Sequence, residues 1–125
     1  MAVAVLKPVE WIASSRADLR AFPDAVQNKV GFALYVAQRG SRHQAAKPLP
    51  GLGAGVLEVV VDFDRSTFRA VYSVRFAQAV YVLHVFQKKA KRGIATPKHE
   101  IDVIRSRLRL AEAHYAAKHG RDRDR

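Results

Sequence analysis

Val56-Leu57-Glu58-Val59-Val60-Val61-Asp62, Phe68-Arg69-Ala70-Val71-Tyr72-Ser73-Val74 and Val80-Tyr81-Val82-Leu83-His84-Val85-Phe86 follow one another with only short turn-like segments between them. All three are rich in valine, tyrosine and phenylalanine, which pack well on a pleated surface, so the stretch predicts three strands in an antiparallel meander. Strand side chains alternate between the two faces. In the middle run Phe68, Ala70, Tyr72 and Val74 therefore share one face, while Arg69, Val71, Ser73 and Arg75 share the other, which is partly cationic.

Immediately upstream, Ser41 to Gly55 contains Pro48, Pro50, Gly51, Gly53 and Gly55, a density of backbone breakers that predicts a loop. Before it, Val26, Val30, Leu34 and Ala37 recur at helical spacing as one buried stripe, with Gln27, Lys29 and Gln38 on the wet side and Gly40 as the stop. Pro23 suits the first turn of that helix and ends a shorter one near Phe22. The shorter helix opens on Ser15-Arg16-Ala17-Asp18, which fits a capping box in which the Ser15 side chain satisfies an amide at Asp18. Pro8 to Ala13, with Trp11 and Ile12, reads as an N-terminal strand.

Downstream, the basic run Gln87-Lys88-Lys89-Ala90-Lys91-Arg92-Gly93 leads to Thr96-Pro97, a helix cap followed by a first-turn proline. Ile101, Ile104, Leu108, Ala111 and Tyr115 then form the narrow apolar seam of a last helix. The order strand, helix, helix, three strands, helix gives an α+β class, with helices against one side of a small antiparallel sheet. The 125 residues are expected to form a single domain, with residues 1–5 and 120–125 disordered.

With 49% apolar and 26% charged residues the composition is that of a folding chain with one core. No apolar run reaches the roughly 18 to 20 residues that span a bilayer, and no signal segment opens the sequence, so a cytoplasmic location is expected. The absence of cysteine excludes disulfides, thiolate catalysis and cysteine-held metals. Twenty-two lysines and arginines against 11 acidic residues give a net charge of +11, a field that attracts polyanions. Nucleic acid is the leading partner class, although an acidic protein or an anionic membrane would answer the same charge.

No nucleophile elbow, phosphate-binding glycine loop or zinc-protease motif is present. What remains is a gathering of cations: Arg69 on the middle strand, His84 on the next, and Lys88, Lys89, Lys91 and Arg92 where that strand exits. Such a group can cut RNA without metal or cofactor if the 2′-hydroxyl attacks the adjacent phosphate. Proton transfer contributes about 10²–10⁴ in rate and a fixed oxyanion donor about 10²–10³, so three or four groups suffice. The plainer reading pairs Arg69 with Glu58 or Asp62, leaves the lysines solvated, and makes His84, Tyr72 and Phe86 core.

Lys47-Pro48-Leu49-Pro50-Gly51-Leu52-Gly53, Val56-Leu57-Glu58, Phe68-Arg69-Ala70-Val71-Tyr72, Val82-Leu83-His84-Val85-Phe86-Gln87-Lys88-Lys89 and Thr96-Pro97-Lys98-His99-Glu100-Ile101 occur in this order. Together they resemble the phage-related HigB-like branch of the RelE toxin superfamily, from about Lys7 to Tyr115. The resemblance implies a RelE-like fold and a ribosome-dependent mRNA endonuclease, neutralised by a tightly bound antitoxin of helix-turn-helix type. It implies that Arg69 is the arginine of the family's Tyr-Arg-x-x-Tyr strand, with Phe68 in place of the first tyrosine. Lys88, Lys89 and Lys91 take the place of its basic strand exit, and Arg92 and Arg75 join the expected RNA contacts. The sequence departs from the pattern after Glu58, where Val59 and Val60 replace a cation. Glu58, His84 or a loop lysine of depressed pKa are the alternatives for the general base. Two other readings are a basic binding module without catalysis and a degenerate toxin that retains only antitoxin binding.

Overall fold

The computed structural model describes residues 5–88 and 95–120; Lys89, Lys91, Arg92 and most of the two predicted disordered ends lie outside the described residues. The elements are β1 (Val9–Trp11), α1 (Ser15–Arg20), α2 (Asp24–Gln38), β2 (Ala46–Pro48), β3 (Val56–Phe63), β4 (Ser66–Ser73), β5 (Val80–Lys88) and α3 (Lys98–His119). The strands form a five-stranded sheet in the order β1-β5-β4-β3-β2. The meander expected from the valine-rich runs is its centre. Asp64 and Arg65, both at positive φ, close the β3–β4 hairpin with the twist that a two-residue turn requires.

Three expectations are corrected. The Ser41–Gly55 loop contains β2, a three-residue strand in which Lys47 stands opposite Glu58. Pro48 is accommodated because the strand lies at the edge of the sheet, where one side makes no ladder bonds. Second, the N-terminal strand runs parallel to β5 rather than antiparallel, with Val9, Glu10 and Trp11 aligned to Val80, Tyr81 and Val82.

Third, the helices cover both faces. Leu19 of α1 and Val26, Val30 and Leu34 of α2 pack on Phe68, Ala70, Tyr72, Val80 and Val82. Ile104, Leu108, Ala111 and Tyr115 of α3 pack on Val71, Tyr81, Leu83 and Phe86. The physical reason lies in β5, whose apolar run has no polar side to leave in water and needs cover above and below. No helix among the described residues is long and apolar enough to cross a membrane.

The predicted capping box does not form. Ser14 is the N-cap of α1 and bonds the Asp18 carboxylate at 2.7 Å, while the buried Ser15 hydroxyl donates to the Val82 carbonyl at 3.3 Å. Ser15 thus ties α1 to the sheet instead of closing its own helix.

Tyr72 lies in the core, and among the described residues its hydroxyl has no hydrogen-bond partner. Burial pushes its pKa up to about 12, against a smaller pull downward from Arg42. Tyr81 is likewise pushed up to about 12, first by burial and then by Glu10 and Tyr115. An unpaired buried hydroxyl costs about 1 kcal/mol or more, so Tyr72→Phe is expected to raise the stability measured by urea unfolding. Both tyrosines keep their protons to a higher pH when folded than when unfolded. Their contribution is therefore whole below pH 10 and is lost as the pH rises from there through about 12, a loss that should be smaller in Tyr72→Phe.

Candidate functional site

Residues paired across neighbouring strands project to the same side. On the α3 face one row runs from Lys47 through Glu58 and Val71 to His84. The next holds Val60, Arg69 and Phe86, and a third Asp62, Thr67 and Lys88. Four of the predicted site residues, Glu58, Arg69, His84 and Lys88, thus come from three strands onto one face. Lys47, absent from the predicted set, joins them from β2 as an exposed cation beside Glu58. It stands in the row next to Val60, the position where the sequence lacks a cation.

The Arg69 guanidinium is almost wholly buried, with 5% of its side chain exposed, and lies 3.5 Å from Glu58 Oε1. Its Nη1 donates to Thr96 Oγ1 at 3.1 Å, and that hydroxyl donates to Glu58 Oε2 at 2.7 Å. Arginine, threonine and carboxylate therefore close a ring across β3, β4 and the segment before α3. The expected role of Thr96 as a helix cap is corrected: Pro97 is the N-cap, and the Thr96 side chain is taken up by the buried charges. An arginine on a covered sheet face needs a carboxylate beside it, because an unpaired buried charge is far costlier than a lost cap.

His84 owes its position to an irregularity. Val71 pairs with His84 and Tyr72 with Val82, so Leu83 is the extra residue of a bulge. The bulge lets both Leu83 and His84 meet α3. His84 Nε2 lies 2.8 Å from Glu100 Oε1, Arg107 Nη1 lies 3.1 Å from His84 Nδ1, and the ring stacks on Phe86. A guanidinium only donates, so Nδ1 is the acceptor and Nε2 carries the proton given to Glu100. Neither ring nitrogen is open to a substrate in this arrangement.

Arg107 also bonds the Leu83 carbonyl and Ser14. Arg107 is thus engaged on the inner side of α3, while Arg109 on the same helix is exposed. That Glu100 and Arg107 are partners of His84 is not among the expectations from sequence, although their separation by two helical turns places them on one side of α3.

Arg75 does not belong with this group. It sits beyond the other end of β4, donating to the carbonyls of Ala54 and Leu52 and pairing with Glu112 at 3.0 Å. There it pins the glycine-rich loop to α3. Gly55, at φ +79°, passes so close that a Cβ would stand 2.9 Å from the Arg75 Cβ.

The family model described as phage derived protein Gp49-like matches residues 17–109. No match is found among curated proteins. Among solved structures, a free-state mutant of the E. coli toxin RelE is similar with a TM-score of 0.51 and 19% identity, over 70% of this chain and 87% of that one. The toxin–antitoxin complex RelBE2 of Mycobacterium tuberculosis gives a TM-score of 0.45 and 21% identity, over 70% of this chain and 98% of that one. The likeness to RelE shows a common RelE-like α+β fold.

Removing Glu100 should leave the buried His84 Nε2–H without its acceptor. Glu100→Ala is expected to lower stability by about 1–3 kcal/mol in urea unfolding, and Glu100→Gln by less, since an amide oxygen still accepts from Nε2. Gly55→Ala, strained in φ and crowded by Arg75, should cost about 1 kcal/mol or more by the same measurement.

Proposed function

The chain belongs to the phage-derived Gp49-like family, and from that premise we propose that it is the toxin of a toxin–antitoxin pair, an endoribonuclease that cuts mRNA on the ribosome. The supporting observation is the convergence of Arg69, Lys88 and Lys47 with the Glu58 carboxylate on one sheet face. The similar E. coli structure is that of a toxin, which accords with this reading.

In the proposed reaction the scissile phosphate binds at Arg69 and Lys88, and Lys47 adds charge at the outer margin. Phosphate takes the place of the Glu58 carboxylate on the arginine, so that Glu58 becomes free to accept the 2′-hydroxyl proton. The 2′-oxygen forms a bond to phosphorus as the bond to the 5′-oxygen breaks. The products are a 2′,3′-cyclic phosphate and a 5′-hydroxyl, whose proton comes from a lysine ammonium at the β5 exit. Glu58 is preferred to His84 as base because both His84 nitrogens are engaged. No metal or cofactor enters the scheme. The partners are mRNA, the ribosome and a cognate antitoxin of helix-turn-helix type, and the setting is cytoplasmic; Lys89, Lys91 and Arg92 extend the RNA contacts.

A second reading is a degenerate toxin that binds its antitoxin without cutting RNA, and the depth at which Arg69 is buried favours it. Expression of the chain alone separates the two. The nuclease reading expects growth arrest and truncated messages, both relieved in Arg69→Ala and in Lys88→Ala by about 10² or more in cleavage rate. Intact messages together with antitoxin binding would establish the degenerate form.

A further inference from the structure

We propose that the outer edge of β3, from Val60 to Phe63, together with the groove beside it, is where an acidic, extended segment of a protein partner adds as a strand. The inference rests on the partner reading above and gives it a location.

β3 is eight residues long, but β2 pairs only with Leu57, Glu58 and Val59. Upstream of β2 the chain makes a turn, in which the Ala46 amide donates to the His43 carbonyl, and Val60 to Phe63 have no strand on that side among the described residues. An open edge of this kind offers a row of backbone donors and acceptors that another chain can satisfy. Such an edge is ordinarily guarded by charge. Here exposed Asp62 is the charged residue of the stretch, and around it the surface is apolar: Phe32, Val60 and Phe63 are 56%, 41% and 39% exposed.

Between this edge and α2 lies a groove of about 400 Å³, lined by Lys29, Phe32, His43, Val59, Val60 and Val61 among others. It lies where β2 would run if it continued, so a strand added there sends alternate side chains into the groove against Phe32. The intervening side chains face the side of the sheet that carries Val60, Lys47 and Arg69 together with Glu58, which Arg69 already pairs, and Asp62 towards the hairpin.

Charge selects the occupant. No aspartate or glutamate lines the groove, Lys29 does, and the chain as a whole carries +11. A second copy of the chain would bring the same excess of positive charge to the edge. A segment alternating apolar and acidic residues satisfies both requirements, with apolar side chains in the groove and carboxylates on the Lys47 side. Those carboxylates would compete with RNA phosphate for the same cations, which is a direct means of neutralising the site.

The test uses the intact protein and a short capped peptide in which valine and glutamate alternate, with a valine–lysine peptide as control. Calorimetric titration should show saturable binding of the glutamate peptide alone, weakening as salt is raised. Amide hydrogen exchange should slow at Val60–Phe63. Phe32→Glu, at an exposed helix position, should keep its thermal unfolding and lose at least about tenfold in affinity. Absence of saturable binding, protection confined to other elements, or equal binding by Phe32→Glu would overturn the proposal. Because the assay requires no RNA cleavage, a harmless chain that binds the peptide refutes the nuclease and keeps this surface, and a toxic chain that ignores the peptide does the reverse.

Discussion

A guanidinium held on the middle strand of a sheet, beneath the start of a helix, cannot remain there without a carboxylate. The Arg69–Glu58 pair meets that requirement across β3 and β4, and Thr96 closes it from the segment before α3. Three parts of the chain distant in sequence are thereby held at one point. The pair also decides what the site can do. A carboxylate against an arginine is the charge pattern that a phosphate can enter by exchange, since both anions present oxygens to the same planar donor. If exchange occurs, the displaced carboxylate is left beside the substrate as a base; if it does not, the arginine is scaffold.

The rest of the α3 face has a division of labour. The groups assigned to the substrate are cationic or exchangeable: Arg69 and Lys88 towards the β5 exit, and Lys47 at the β2 edge. One row further in, His84, Glu100 and Arg107 form a saturated set that fixes α3 to the sheet. At the far end Arg75 binds the glycine-rich loop. Arginine thus serves structure at two of these places, which moderates the inference from total charge: a net +11 says that the chain will meet polyanions, and only geometry says which cations meet them.

Much of the fold was legible because the meander announces itself by composition and the helices by period. Val26, Val30, Leu34 and Ala37 are buried as their spacing required, as are Ile104, Leu108, Ala111 and Tyr115. β2 was not legible, since three residues ending in proline carry no pattern and are fixed only by their neighbour. The covering of both sheet faces was written in Val80–Phe86, an apolar run without alternation, but a sheet with one wet face was the expectation. Within the site, the strand positions of Glu58, Arg69 and Lys88 followed from alternation. The partners of His84 did not, because a bulge shifts the pleat by one residue and no local sequence feature marks Leu83 as the extra one. Thr96 was assigned to a cap on local grounds, and a long-range demand from buried charge overrode it.

The most direct measurement is photo-crosslinking on the ribosome. A message made uncleavable by a 2′-deoxy sugar at the scissile position, with a photoreactive base next to it, would be bound by the chain and the attached peptides identified. If RNA occupies the face described here, crosslinks fall on Lys47, on β3–β5 around Arg69 and Lys88, and on the segment before α3. Crosslinks concentrated on α2 or on the Arg75 loop would contradict that placement and, with it, the assignment of Arg69 to the reaction.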